Sequence, residues 1–247
     1  MCTVLLLRRP GHPWPLLLAA NRDERLDRPW DPPGPFWPGV IAGRDRLAGG
    51  TWMALGESGV VAAVLNRPGS LGPQPGKRSR GELPLLAAAA PDAATAAWQI
   101  AALDGSGWRS FNLVLADAGA AFFLRWTGEG RITAEPLPEG VSMVTAHDPN
   151  DPSSPRVRRN LPRFRAAPPP DPDRGDWRHW ESLLAADGGE DGPAAALRVA
   201  PVAGFGTVCS SLLALAADGR RSWRFAPGPA GSAPFAEILG TGPTAVG

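Results

Sequence analysis

The sequence predicts an α+β fold of layered antiparallel sheets, and three observations carry that prediction. Apolar runs of strand length recur in pairs around short turns. The helical stretches are gathered between those pairs instead of alternating with single strands, which argues against a parallel doubly wound sheet. At 247 residues the chain is long enough to bury a substantial core, as one large domain or two small ones. The expected organisation is a single domain over residues 1–226 and a Pro/Gly-rich tail over 227–247 that need not be ordered.

Taken in order, Cys2 to Leu7 is a short apolar run, Pro10-Gly11-His12-Pro13 signals a turn, and Leu16 to Ala20 resumes the run, giving a first hairpin. Residues 25–38, dense in Pro and Trp, read as an irregular excursion. A strand follows at about 39–43, and Thr51–Leu55 with Val60–Leu65 forms a second hairpin around Glu57-Ser58-Gly59. A polar Pro/Gly loop spans 67–78. Ser79–Ala90 and Asp92–Leu103 read as helices, Asp92 being placed to cap the second. Phe111–Ala116 and Ala120–Trp126 make a hairpin across Asp117-Ala118-Gly119, and Val141–Ala146 is a further strand. Arg156–Phe164 is a basic helix that Pro162 is expected to kink, 167–174 a Pro-rich linker, and Trp177–Ala186 another helix. Phe205–Ala216 is a long late strand paired with Ser222–Phe225.

Bulk properties exclude several function classes. The net charge is +1 with no basic block, so nothing favours a nucleic-acid partner. Lys77 is the only lysine and tyrosine is absent, which reads as coding bias, and the ten tryptophans read as packing. Two cysteines, Cys2 and Cys209, make no disulfide framework and point to a reducing compartment. No segment approaches the ~20 apolar residues of a membrane span. The first apolar run is too short for a signal-peptide core and is broken by Arg8 and Arg9, so a cytoplasmic location is expected. The three histidines are scattered without metal-ligand spacing, and no metal is expected.

The chemistry concentrates at the start of the chain. Removal of Met1 would give Cys2 both a thiol and a free α-amine, a nucleophile with its own general base. The amine, with an ordinary pKa of about 7.7–8.0, is part free base at neutral pH. If the first hairpin is centred between Gly11 and His12, position i pairs with 23 − i. Cys2 then faces Asn21 and lies one step from Arg22, within the Asn21-Arg22-Asp23-Glu24 string. Arg22 would stabilise the thiolate and Asp23 would hold the amine or orient a substrate group. A slip of one residue is expected to carry Arg22 away to the other face. Glu24 is equally a solvated charge.

Four ordered motifs resemble the NRDE family, also called the transport-and-Golgi-organisation-2 family: Met1-Cys2, Asn21-Arg22-Asp23-Glu24, Ala42-Gly43-Arg44-Asp45 and Gly49-Gly50-Thr51-Trp52. Val64-Leu65-Asn66-Arg67, Phe111-Asn112-Leu113 and Gly206-Thr207 with Ser210-Ser211 are similar to its later segments. The resemblance is close over residues 1–80 and patchy beyond. It implies an αββα four-layer sandwich of the N-terminal-nucleophile hydrolase type, akin to choloylglycine hydrolases and penicillin V acylases, with Cys2, Arg22 and Asp23 as the working residues. It also implies links to haem trafficking and to lipid or acyl-CoA metabolism. Fold alone does not decide between them.

Two readings therefore stand. In the first, the chain hydrolyses a non-peptide amide or thioester, with Asn66 or His147 donating to the oxyanion. His147 enters because Ala146-His147-Asp148 stands where relatives often have a Ser-Asn pair. In the second, the chain binds haem or a hydrophobic acyl ligand such as acyl-CoA or lipid, and requires no cofactor of its own; Cys2 or His147 could ligate haem iron. Asn66 is equally a turn-forming residue. Asn21, Glu24, Arg44 and Asp45 are candidate supporting residues, the last two also readable as a strand-end ion pair. Arg156-Val157-Arg158-Arg159 reads as a solvated helix face that could attract a carboxylate or phosphate.

Overall fold

The computed structural model describes residues 2–240, which divide into two compact units. Of these, the first takes the residues up to Asp27, Pro138–Thr145 and those from Pro149 onward, and the second Arg28–Leu137 with Ala146–Asp148. The α+β class is as expected: each unit has its own antiparallel sheet and its own helices.

In the first unit, β1 (Thr3–Arg8) and β2 (Leu16–Arg25) form the first hairpin. With β10 (Gly140–Val144), β11 (Phe205–Leu215), β12 (Arg221–Ala226) and β13 (Ala236–Leu239) they make a six-stranded sheet ordered β10-β1-β2-β11-β12-β13. Alternation along the strands sends Leu5, Leu7, Leu17, Ala19, Leu212 and Ala214 to one face. There they bury against Val157, Leu161 and Phe164 of α3 (Pro155–Ala166) and Trp180 and Leu184 of α4 (Arg178–Leu184). Phe164 and Trp180 meet edge to face with centroids 5.5 Å apart. α3 starts at Ser154, whose side chain accepts from the Val157 N–H, followed by Pro155 in the first turn, where its missing N–H is not needed. Pro162 is accommodated inside the helix.

The expected tail boundary at 226 is corrected by β13, which pairs with β12 through Arg224–Glu237 and Phe225–Ala236. Ala230 is fully buried in the same core. Residues 241–247 lie outside the described residues.

The second unit is a seven-stranded meander: β3 (Trp30–Trp37), β4 (Val40–Asp45), β5 (Met53–Gly56), β6 (Val61–Asn66), β7 (Phe111–Ala116), β8 (Ala121–Trp126) and β9 (Thr133–Pro136) pair in chain order. Its helices α1 (Leu83–Ala88) and α2 (Ala93–Ala101) lay Leu83, Ala87, Ala93, Ala97 and Ile100 against Val60, Ala62, Leu113, Leu115 and Leu124. Asp92 caps α2 by accepting from the Thr95 N–H at 2.7 Å, as its position predicts. The segment expected to be irregular contains β3. Pro32, Pro33 and Pro35 lack ladder donors, and the strand tolerates them because it is an edge strand, with pairing interrupted around Gly34.

The family-like motifs of this unit are packing devices. A Cβ on Gly43 would sit 2.3 Å from the Trp52 ring, and one on Gly50 would sit 2.7 Å from the Gly81 backbone, where the Thr51 N–H bonds the Gly81 carbonyl.

Candidate active site

Cys2 immediately precedes β1, and the register of the first hairpin decides what it faces. Thr3 pairs with Asn21 and Arg8 with Leu16, so position i pairs with 24 − i, one residue away from the expected register. The reason lies in the turn. The expected register would set Pro10 opposite Pro13, two residues without an N–H to bond the ladder. Instead the loop centres on His12: the Arg9 N–H donates to the Pro15 carbonyl at 2.8 Å, and the His12 N–H donates to the Arg9 carbonyl at 3.0 Å. Trp14 turns inward, 2% exposed, with its indole N–H on Asp173 at 2.9 Å.

The slip has the opposite effect to the one expected. Extended by one step, the register sets Cys2 across from Arg22, on the same face. On the other side of β2, Arg22 pairs with Cys209 of β11, so the three side chains form a row across adjacent strands. Arg22 is buried and lies 3.9 Å from Glu24, whose carboxylate also accepts from the Arg25 N–H. The Cys2 sulfur takes up the main chain of Asp23: the Asp23 N–H donates to Sγ at 3.4 Å, and the thiol donates to the Asp23 carbonyl at 3.6 Å.

Thr3, Asn21 and Asp23 point the other way, toward the helices. Asn21 donates to the carbonyls of Leu184 and Leu197 and accepts from Ser210 Oγ at 2.7 Å. The Asp23 carboxylate is fully buried and is held from β11 and from α3. Thr207 Oγ1 donates to Oδ1 at 2.6 Å, and the Arg156 guanidinium donates to Oδ2 at 3.1 Å and to Thr3 Oγ1 at 2.8 Å. Thr207 in turn accepts from the Val199 N–H, and an irregularity in β11 between Thr207 and Cys209 separates the residue facing Asp23 from the one beside Arg22.

Burial pushes the Cys2 thiol up, and the Asp23 charge adds to that; the Asp23 N–H and Arg22 pull it back in part. Cys209, 1% exposed, is also pushed up by burial.

Asn66 and His147 belong to the second unit. Asn66, at the end of β6, pairs with Phe111 and is partly exposed. The His147 carbonyl accepts from Asn112 Nδ2 at 2.7 Å. Asp148 is clamped by Arg67 at 2.8 Å and by Arg125. Arg44 pairs with Asp31 and lies over the Phe36 ring, and Asp45 pairs with Arg28. Among the described residues, no group of three or more His, Cys, Asp or Glu could hold a metal, and no helix is long and apolar enough to cross a membrane.

The residue missed by the sequence reading is Arg156. Its neighbours Arg158 and Arg159 behave as expected, bonding to loop carbonyls and to Asp191 at the surface, but Arg156 is 5% exposed. The signal was present: Arg156 and Asn160 are one helical turn apart, on the stripe that carries Val157, Leu161 and Phe164.

Residues 1–167 match the family described as Transport and Golgi organisation 2. The chain belongs to this family. No curated protein sequence matches it. Among solved structures, the Transport and Golgi organisation 2 chain is similar to a Caenorhabditis elegans N-acylethanolamine-hydrolyzing acid amidase ortholog, at 11% identity and a TM-score of 0.56 over 85% of this chain and 92% of that one. It is also similar to penicillin V acylase from Agrobacterium tumefaciens (14% identity, TM-score 0.52, 96% and 86% covered). A third likeness is to the C2A mutant of conjugated bile acid hydrolase from Clostridium perfringens (12%, 0.54, 96% and 92%). These likenesses show the fold: the family member has the α+β, N-terminal-nucleophile-hydrolase architecture that the four motifs imply.

Proposed function

We propose that this chain is a cysteine hydrolase of a non-peptide amide or thioester, working through Cys2 once Met1 has been removed. The observation that supports it most is the row of Cys2 and Arg22 at the head of β1 and β2, with the Cys2 sulfur on the Asp23 main chain, in a fold shared with an amidase, an acylase and a hydrolase. A thiol raised by burial needs a base to take its proton, and a freed α-amine on the same residue is that base.

In the proposed reaction Sγ attacks the carbonyl carbon and the thiol proton passes to the α-amine. The tetrahedral intermediate collapses as the amine returns the proton to the leaving nitrogen or sulfur, leaving an acyl thioester on Cys2. Water, deprotonated by the same amine, releases the carboxylic acid and restores the thiol. Arg22 offsets the negative charge at sulfur, and the oxyanion role is assigned from the sequence alone to Asn66 or His147. The second reading is a carrier of haem or a hydrophobic acyl ligand, with Cys2 or His147 as the candidate iron ligand. Haem iron takes a thiolate, however, and at Cys2 burial pushes the thiol up while Sγ is engaged by the Asp23 main chain, so this residue fits a resident haem poorly.

The test is the intact mass of native protein before and after a thiol-directed acylating probe, with Cys2→Ala as control. A mass lacking Met1, with one label per chain that the variant loses, supports the hydrolase. Retained Met1 with an unreactive Cys2 overturns it.

A further inference from the structure

The helix α3 reaches the nucleophile through one side chain. Arg156 and Asp23 are both almost wholly buried and joined at 3.1 Å, on the face of β2 opposite Cys2. Burying a charge pair is costly and does not by itself stabilise a fold, so its presence calls for a role. The pair fixes the carboxylate of the residue whose main chain meets the Cys2 sulfur from both sides, as donor at 3.4 Å and acceptor at 3.6 Å. Arg156 also donates to Thr3 Oγ1 at 2.8 Å, the residue next to Cys2 in the chain. One guanidinium therefore holds both neighbours of the sulfur, Thr3 by sequence and Asp23 across the ladder. Thr207 completes the hold on Asp23 from β11 at 2.6 Å.

We infer that Arg156 is a positioning residue for the nucleophile: by holding Asp23 and Thr3 it sets the Asp23 N–H against the Cys2 sulfur and offsets the charge of the carboxylate on the other face of the strand. The inference rests on Cys2 being the nucleophile, and concerns what makes it reactive. Without Arg156, the carboxylate across the strand is less well compensated and the N–H donor is looser, both of which disfavour the thiolate.

The experiment is the rate of alkylation of Cys2 by iodoacetamide against pH, followed by intact mass, in wild type, Arg156→Gln, Arg156→Lys and Thr207→Val. Near-neutral rates track the thiolate fraction, and one pKa unit corresponds to a tenfold change in it. Arg156→Gln is expected to label about tenfold more slowly at pH 7, with its midpoint moved up by about one unit. Arg156→Lys, which keeps the charge, restores most of the rate, and Thr207→Val gives a smaller shift in the same direction. Circular dichroism keeps the comparison to folded protein; should Arg156→Gln not fold, the midpoints of Arg156→Lys and Thr207→Val decide. Variants that label with the wild-type pH profile overturn the positioning role while leaving the hydrolase proposal intact. A wild-type Cys2 that resists alkylation throughout overturns both.

Discussion

Cys2 and Cys209 flank the same arginine, yet their surroundings part them. Cys2 is partly exposed at a strand end, while Cys209 sits within β11, buried, its thiol pushed up by that burial. A thiol probe at pH 8 should therefore place one label per native chain, at Cys2, and two after denaturation, read by intact mass and peptide mapping. Asn21, the first letter of the motif, serves the fold: it closes three buried hydrogen bonds toward the helices, on the face away from the sulfur. Asn21→Ala leaves those partners unsatisfied, with an expected loss of about 1–3 kcal/mol in urea unfolding. The string of four residues is thus two alternating pairs, Arg22 and Glu24 on the thiol face, Asn21 and Asp23 on the helix face. Alternation was readable from the sequence, but which pair accompanied Cys2 depended on a one-residue register.

That register is decided at the level of the hairpin, by Pro10, Pro13 and the inward turn of Trp14, whose partner Asp173 is far along the chain. Local pattern could name the turn but not its centre. The same limit explains β3, where three prolines suppress the strand signal and only an edge position restores it. It also explains β9 and β13, short strands whose formation rests on a neighbour already in place. The long hairpins, the capped α2 and the α+β class were legible because their own residues carry the periodicity. Two element contacts offer direct tests. A Cβ on Gly56 of β5 would lie 1.8 Å from the Ala88 carbonyl at the end of α1, so Gly56→Ala should cost about 1–3 kcal/mol by displacing that helix. Trp180→Ala on α4 empties the centre of the first core and should cost about 3–5 kcal/mol, both measured by chemical unfolding.

For the molecule as a whole, charge balance sets the response to acid. Asp27, Asp92, Asp104, Asp173 and Asp218 are each held below the ordinary carboxylate range, chiefly by hydrogen bonds from Arg25, Thr95, Ser106, Trp14 and Arg220 respectively. A carboxyl whose folded pKa is depressed contributes stability that is present above its unfolded value, near 3.9, and lost as pH falls through the folded one. The thermal midpoint should therefore stay level from pH 7 to about 5 and drop below about pH 4, with Asp173→Asn blunting the drop.

The division of the chain has a further consequence, in time. In chain order the second unit interrupts the first: all seven of its strands are made after β2 and before β10. Asp23 waits for Arg156, 133 residues later, and for Thr207, 184 residues later. At about 5–20 residues per second, a ribosome takes roughly 10–40 s to reach that threonine. Until residue 140 the first hairpin has neither of its flanking strands, and β11, with Thr207, arrives after β10 and Arg156. The surroundings of Cys2 are thus assembled from segments far apart in the chain, and a nascent chain that has reached only the second unit carries the thiol without them.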